Sequence, residues 1–202
     1  MILENKGVQL GSFFVPPFHM HQGELVGINF HNGPYSIEPM QTFLSMVLDN
    51  NSQEINTWVN FEEATVIRHG RWWQLARPKR VRGLLSAQTD RALSELRGFG
   101  AVYLSADKKI NHCDLFELKL LSLWFAFEKQ VPIVFNLAGL SPMGVERCLK
   151  FVKSRVETGS AALLLDHWED SAAFCDQYYT VQSDHPQHFR FQPAPFELKI
   201  AD

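Results

Sequence analysis

Two apolar runs without polar alternation, Val131 to Leu137 and Ala161 to Leu165, constrain this chain most. A strand with one wet face alternates apolar and polar residues, so an unbroken apolar strand is covered on both faces. Helical patterns flank both runs. Asp114-Leu115-Phe116-Glu117 has the form of a capping box, with Asp at the N-cap and Glu at N3. The helix it opens, to about Lys129, is apolar nearly all round through Leu118, Leu120, Leu121, Leu123, Trp124, Phe125 and Phe127. Such a helix is buried on most sides. Val145 to Val156 is an amphipathic helix, Asp170 to Cys175 a short helix and Tyr178 to Val181 a last strand. Strand and helix alternating from residue 114 onward imply right-handed βαβ crossovers. The expected fold is α/β, with a mostly parallel sheet flanked by helices.

The first half reads differently. Residues 1 to 30 read as strands, an antiparallel β part, with apolar runs Val8 to Val15 and Leu25 to Phe30 split by Pro16-Pro17 and His21-Gln22-Gly23. Ser36 to Leu48 reads as a helix, with Ser36 as N-cap and Pro39 in the first turn, where its missing N–H costs nothing. Met40, Phe43, Leu44, Val47 and Leu48 give it one buried face. Ile55 to Phe61, Ala64 to His69, Trp72 to Ala76 and Val81 to Leu85 read as strands and hairpins. Residues 89 to 98 resemble a short helix, and Ala101 to Ser105 reads as a strand.

A chain of 202 residues, 46% hydrophobic and 20% charged, suits one domain with an ordinary core. We expect a single domain over 1–182, with a reduced helical region at about 89–130, and a Pro- and aromatic-rich tail at 183–202. The net charge of −3 argues against a general nucleic-acid binder. Cys113, Cys148 and Cys175 show no paired metal spacing and fit a reducing compartment. There is no signal pattern at Met1 to Lys6, and the longest charge-free run, Gln130 to Val145, is broken by Pro132, Gly139 and Pro142. The expectation is a cytoplasmic protein without a membrane span, either free or peripheral to a membrane complex.

Gly23 to Ser36 reads as strand, Asn32-Gly33 turn, then helix, the layout of a phosphate-binding loop. A working loop of form G-x-x-x-x-G-K-[ST] uses backbone N–H groups and Lys on phosphate and Ser/Thr on Mg²⁺. Here Ser36 and Ile37 stand where Lys and Ser/Thr are expected. Gly159 to Asp176 adds a Gly, an apolar strand, His167 and a short Ala-rich helix with a closing Asp. Ala138-Gly139-Leu140-Ser141-Pro142 and Leu84-Leu85-Ser86-Ala87-Gln88 lie upstream of it. In this order the segments resemble the ATP-binding domain of ABC transporters over most of residues 1 to 182. The resemblance puts His167 at the switch histidine, Ala138 to Pro142 at the D-loop with Ser141 in place of Asp, and Gln88 at the Q-loop. Phe13 or Phe14 falls near where that family stacks an aromatic on adenine. The fold implied is that of a P-loop NTPase.

The departures carry the functional expectation. The loop has no Lys. The strand Ile133 to Leu137 lacks the family's two carboxylates, and Asn136, at the Asp position, can neither hold Mg²⁺ as a carboxylate does nor take a proton from water. The signature position reads Asp114-Leu115-Phe116-Glu117, bulky and acidic where the family meets a γ-phosphate. Only a short stretch separates Gln88 from Asp114, where the family has a full helical subdomain that meets the membrane partner. Losing one electrostatic contact in such chemistry costs about 10²–10³ in rate, and several are missing together. The expectation is an inactive ABC ATPase-like subunit, structural or regulatory, with no catalytic residue and no metal. It pairs with an active ABC ATPase, a membrane permease or its own copy. Asn32, Gly33, Ser36, Gln88, Asn136 and His167 are then remnant nucleotide-site positions. The alternative is a switch that binds ATP or ADP without turnover.

Other features keep two readings. Arg68 to Arg82 interleaves six cations with Trp72 and Trp73. Arg71, Trp72, Trp73, Lys79 and Arg80 are candidates for contact with a protein, an anionic surface or nucleic acid, against a solvated hairpin. Neighbours on a strand face opposite ways, so one of the two Trp residues should lie outside the core. His19 and His21 could share a strand face as metal ligands, but no third ligand stands at telling spacing. The tail from Ser183, with Pro186, Pro193, Pro195, Phe189, Phe191 and Phe196, reads as an arm docking on this chain or on a partner.

Overall fold

The computed structural model describes residues 1–31, 35–49, 52–65 and 79–183, the Ser86 side chain excepted. Its centre is a five-stranded, all-parallel sheet built from β5 (Leu25–Asn29), β7 (Glu62–Glu63), β8 (Ile133–Phe135), β9 (Ala162–Asp166) and β10 (Gln177–Thr180). The order is β10-β5-β9-β8-β7. As the apolar runs predict, β8 and β9 are wholly buried. Their residues divide strictly between two cores. Ile133, Phe135, Ala162 and Leu164 face one, and Val134, Leu163 and Leu165 face the other.

On the first face lie α3 (Thr89–Gly98), α4 (Leu115–Glu128) and α5 (Pro142–Glu157). The second is covered by α1 (Ile37–Asp49), which buries Phe43 and Val47, and by the N-terminal strands. Those strands form two small antiparallel sheets. One has the order β4-β1-β6, from β1 (Leu3–Asn5), β4 (Phe18–Met20) and β6 (Ile55–Thr57). The other joins β2 (Val8–Leu10), β3 (Phe13–Val15) and the late strand β11 (Gln182–Ser183). Each fully buried Leu or Phe contributes about 1.5–3 kcal/mol, so covering both sheet faces supplies most of the stability. Gly27 in β5 is obligatory, because a Cβ there would stand 2.4 Å from the Tyr178 ring and 2.8 Å from the Cys175 sulfur.

Several expectations are corrected. Val81 to Leu85 is not a strand but a short helix, α2 (Val81–Leu85), which buries Val81 and Leu85, four residues apart. A five-residue apolar run cannot be assigned to helix or strand by periodicity alone. Ala101 to Ser105 is a turn that buries Ala101 and Leu104 and leaves Val102 and Tyr103 exposed. Val8 to Val15 is split into a hairpin at Gly11, whose φ is +62°. The strand expected over Ile55 to Phe61 stops at Thr57. Of Ala64 to His69 only Ala64 and Thr65 are described, and neither is in a strand; Trp72 to Ala76 lies outside the described residues. Helix α5 begins at Pro142, ahead of the expected Val145, because Ser141 accepts from Gly144 N–H as N-cap and Pro fits the first position. No helix among the described residues is long and apolar enough to cross a membrane.

Candidate functional site at the carboxyl edge of the sheet

The carboxyl ends of β5, β9 and β8 bring Asn29, Asp166 and Asn136 to one edge, the position where open parallel sheets bind ligands. Asn29 is fully buried. Its Oδ1 accepts from His31 N–H at 2.7 Å, while its Nδ2 has no partner among the described residues. His31 sits in the left-handed region at φ +60°, with its Nε2 3.1 Å from the Val181 carbonyl. This is the start of the loop that leads from β5 to α1. Ser36 is buried just before α1, and its carbonyl accepts from Met40 N–H. Asn32 and Gly33 lie outside the described residues.

Next to it, β9 ends in Asp166 and His167. The buried Asp166 carboxylate accepts from His167 N–H at 2.7 Å and from the hydroxyl of buried Ser171. His167 Nδ1 stands 2.6 Å from the His31 carbonyl, so that nitrogen carries the proton and donates. The imidazole thereby ties the end of β9 to the loop after β5. Burial, reinforced by Asp166, pushes the Tyr178 phenol well above its usual range, and its hydroxyl donates to the Trp168 carbonyl.

At the end of β8 the arrangement is of another kind. Lys119, five positions into α4 and only 5% exposed, donates to the Asn136 carbonyl at 2.8 Å and to Asn136 Oδ1 at 2.9 Å. These residues do not fit a divalent cation. The donor that the end of β8 offers is a neutral amide, and a buried ammonium already touches it. At close range in a low-dielectric site two positive charges repel strongly. Along the edge on β7, burial raises the Glu63 carboxyl above its ordinary pKa, with Glu62 adding to the effect.

The N-terminus of α4, which the resemblance puts at the signature position, is capped by its own side chains. Asp114 Oδ1 accepts from Glu117 N–H at 2.8 Å, and Glu117 Oε2 accepts from Asp114 N–H at 3.0 Å. The buried Glu117 is held by Lys108 at 2.7 Å through both oxygens. Two carboxylates therefore take the N–H groups that would face an anion. Leu115 lies against Gly139, at φ +85°, in the Ala138 to Pro142 turn; a Cβ there would meet it at 2.9 Å.

The remaining candidates scatter. Gln88 is exposed in the 3₁₀ turn Ser86–Gln88, and with α2 a helix it does not end a sheet strand. The strand parallel to β8 on that side is β7. Arg80 is exposed and shares Asp107 with Arg82, at 3.0 and 2.7 Å. Lys79 is exposed, and Arg71, Trp72 and Trp73 lie outside the described residues. His19 is on β4, and among the described residues no group of His, Cys, Asp and Glu can hold a metal ion. Phe13 is buried in β3 beside a groove of about 530 Å³ between the β2–β3 hairpin and α1. Sequence reasoning missed Lys119 and Asp166. Lys119 lies within the helix that is apolar nearly all round and Asp166 closes a wholly apolar run, and a charge so placed calls for a buried partner.

No family profile matches the sequence, and no curated protein matches it either. Solved structures do. A nucleotide-free ATP-binding cassette from an ABC transporter is similar over 89% of this chain and 87% of its own, at 16% identity and a TM-score of 0.62. The ADP conformation of another ABC transporter cassette matches over 89% and 86%, at 14% identity and a TM-score of 0.62. A chain in the complex of an archaeal ribosomal stalk protein with the archaeal ribosome recycling factor matches over 90% and 38%, at 18% identity and a TM-score of 0.60. Identities this low carry the fold and none of the chemistry. The chain has the fold of an ATP-binding cassette.

Proposed function

We propose that this chain is a cassette-fold subunit that hydrolyses no ATP and acts as a structural or regulatory partner of an active ABC ATPase. The observation that supports it most is the Lys119 to Asn136 contact. The end of β8, where hydrolysis by this fold needs a carboxylate and Mg²⁺, carries an ammonium fixed to an amide. The capping box at α4 supports the same reading, since its carboxylates use the donors a γ-phosphate would need. A positioned cation and water-activating base are most of what such a site contributes to phosphoryl transfer. What remains is a folded surface. Tyr35 and Ile37 beside the β5–α1 loop, Leu115 at α4 and Met143 at α5 are all exposed apolar residues near the carboxyl edge.

The test is affinity purification of the tagged full chain from its native cell. The expected result is a co-purifying ABC ATPase or membrane permease in stoichiometric amount, lost when charge is introduced at Leu115 and Met143 (Leu115→Glu, Met143→Glu). Recovery of the chain alone, with neither protein present, contradicts the reading.

A further inference from the structure

A cavity of about 390 Å³ opens between α5 and the 3₁₀ turn Glu169–Phe174. Its size is that of a small-molecule site. Val145 and Leu149 line it as buried apolar residues, and Trp168 and Phe174 line it with half-buried rings. Both sides are held in place. Ser141 caps α5 by accepting from Gly144 N–H at 3.3 Å. Across the cavity, the Tyr178 hydroxyl donates to the Trp168 carbonyl at 2.8 Å, and Ser171 gives its hydroxyl to Asp166. The aromatic lining is therefore open to a guest and preformed.

The charge at the mouth selects the guest. The charged residues in the lining are Glu146 and Asp170, both exposed and both negative. Glu146 is paired with Lys150 at 2.6 Å. Asp170 has no ion pair among the described residues. The nearby cations of α5 do not offset it, because Arg147 lies over the Phe116 ring at 5.9 Å and Lys153 pairs with Asp176. An anion meets two carboxylates here, and the Gly144 N–H at the start of α5 is already taken. A cation meets an uncompensated carboxylate beside an indole face, which also attracts positive charge.

We propose that this cavity binds a small organic cation with an aromatic body, its ring among Val145, Leu149, Trp168 and Phe174 and its ammonium at Asp170. The apolar lining supplies burial for the ring, and the carboxylate sets the sign of the charge accepted.

The test titrates the full chain, labelled with 5-fluorotryptophan, with phenethylammonium. The Trp168 fluorine resonance is assigned from Trp168→Phe. The expected result is a saturable movement of that resonance while those of the other tryptophans stay in place. Phenylacetate, with the same ring and a carboxylate, should leave it unmoved. Asp170→Asn changes an exposed side chain and should weaken binding about fivefold, the order expected for one ion contact at a wet rim. Salt at about 0.5 M should weaken it as well. Three outcomes overturn the proposal: no saturable movement at about 10 mM phenethylammonium, well above the weakest affinity a built site should show, an equal response to phenylacetate, or an affinity unchanged by Asp170→Asn. None of them depends on whether the chain has an ATPase partner.

Discussion

The ends of β9 and β8 lie side by side in one sheet, yet they are built on different principles. At β9, Asp166 and His167 form a network that reaches across to His31, and the histidine stands where the resemblance puts a phosphate sensor. At β8, the charge is inverted: no carboxylate is present and Lys119 holds Asn136. The apolar strands behind both ends are equally buried. Packing thus builds the same buried strands behind both ends, while the polar groups at the edge differ. His167 ties two loops and is useful without a nucleotide; a Mg²⁺-binding carboxylate has no such second task.

The largest expected effect lies at the end of β8. Lys119→Ala removes the donor shared by two oxygens of a half-buried residue, and chemical denaturation should show a loss of about 3 kcal/mol. A loss below about 0.5 kcal/mol would mean that the ammonium is not fixed there. At the end of β9, His167→Ala removes one hydrogen bond to a backbone carbonyl and should cost about 1 kcal/mol in the same assay. If it costs as much as Lys119→Ala, the two ends do not differ as described.

A smaller effect tests the opposite edge of the sheet. Asp176 accepts from Leu25 N–H and pairs with Lys153; burial works against its charge, but these contacts hold its carboxyl below the ordinary value. A depressed folded-state pKa adds stability above the unfolded value of about 4, and that stability is lost as pH falls through the lower folded value. Asp176→Asn should therefore cost up to about 1 kcal/mol at pH 7, reduced by solvent screening. The gap from the unaltered protein should close in melts run below about pH 4. A gap that stays constant with pH would rule out the charge as its source.

The parallel half of the fold was legible because its strands are covered on both faces and its helices carry readable caps. Asp114 and Glu117 form the capping box their spacing predicts, whereas the apolar periodicity that starts at Val145 hides the equally plain start signal Ser141-Pro142. The edge strand Glu62–Glu63 was not legible, since two carboxylates read as a break; at an edge they stay partly exposed, and Glu62 pairs with Lys129 at 2.5 Å. The sequence pattern puts His167 at the end of an apolar strand, and it stands directly after β9. Lys119 signalled burial, but only the crossover that lays α4 across β8 supplies its partner.

The most direct measurement is steady-state ATP turnover by the purified chain with millimolar Mg²⁺, beside His167→Ala. The account predicts no phosphate release above the buffer blank in either protein. Turnover in the unaltered chain that His167→Ala abolishes would contradict it.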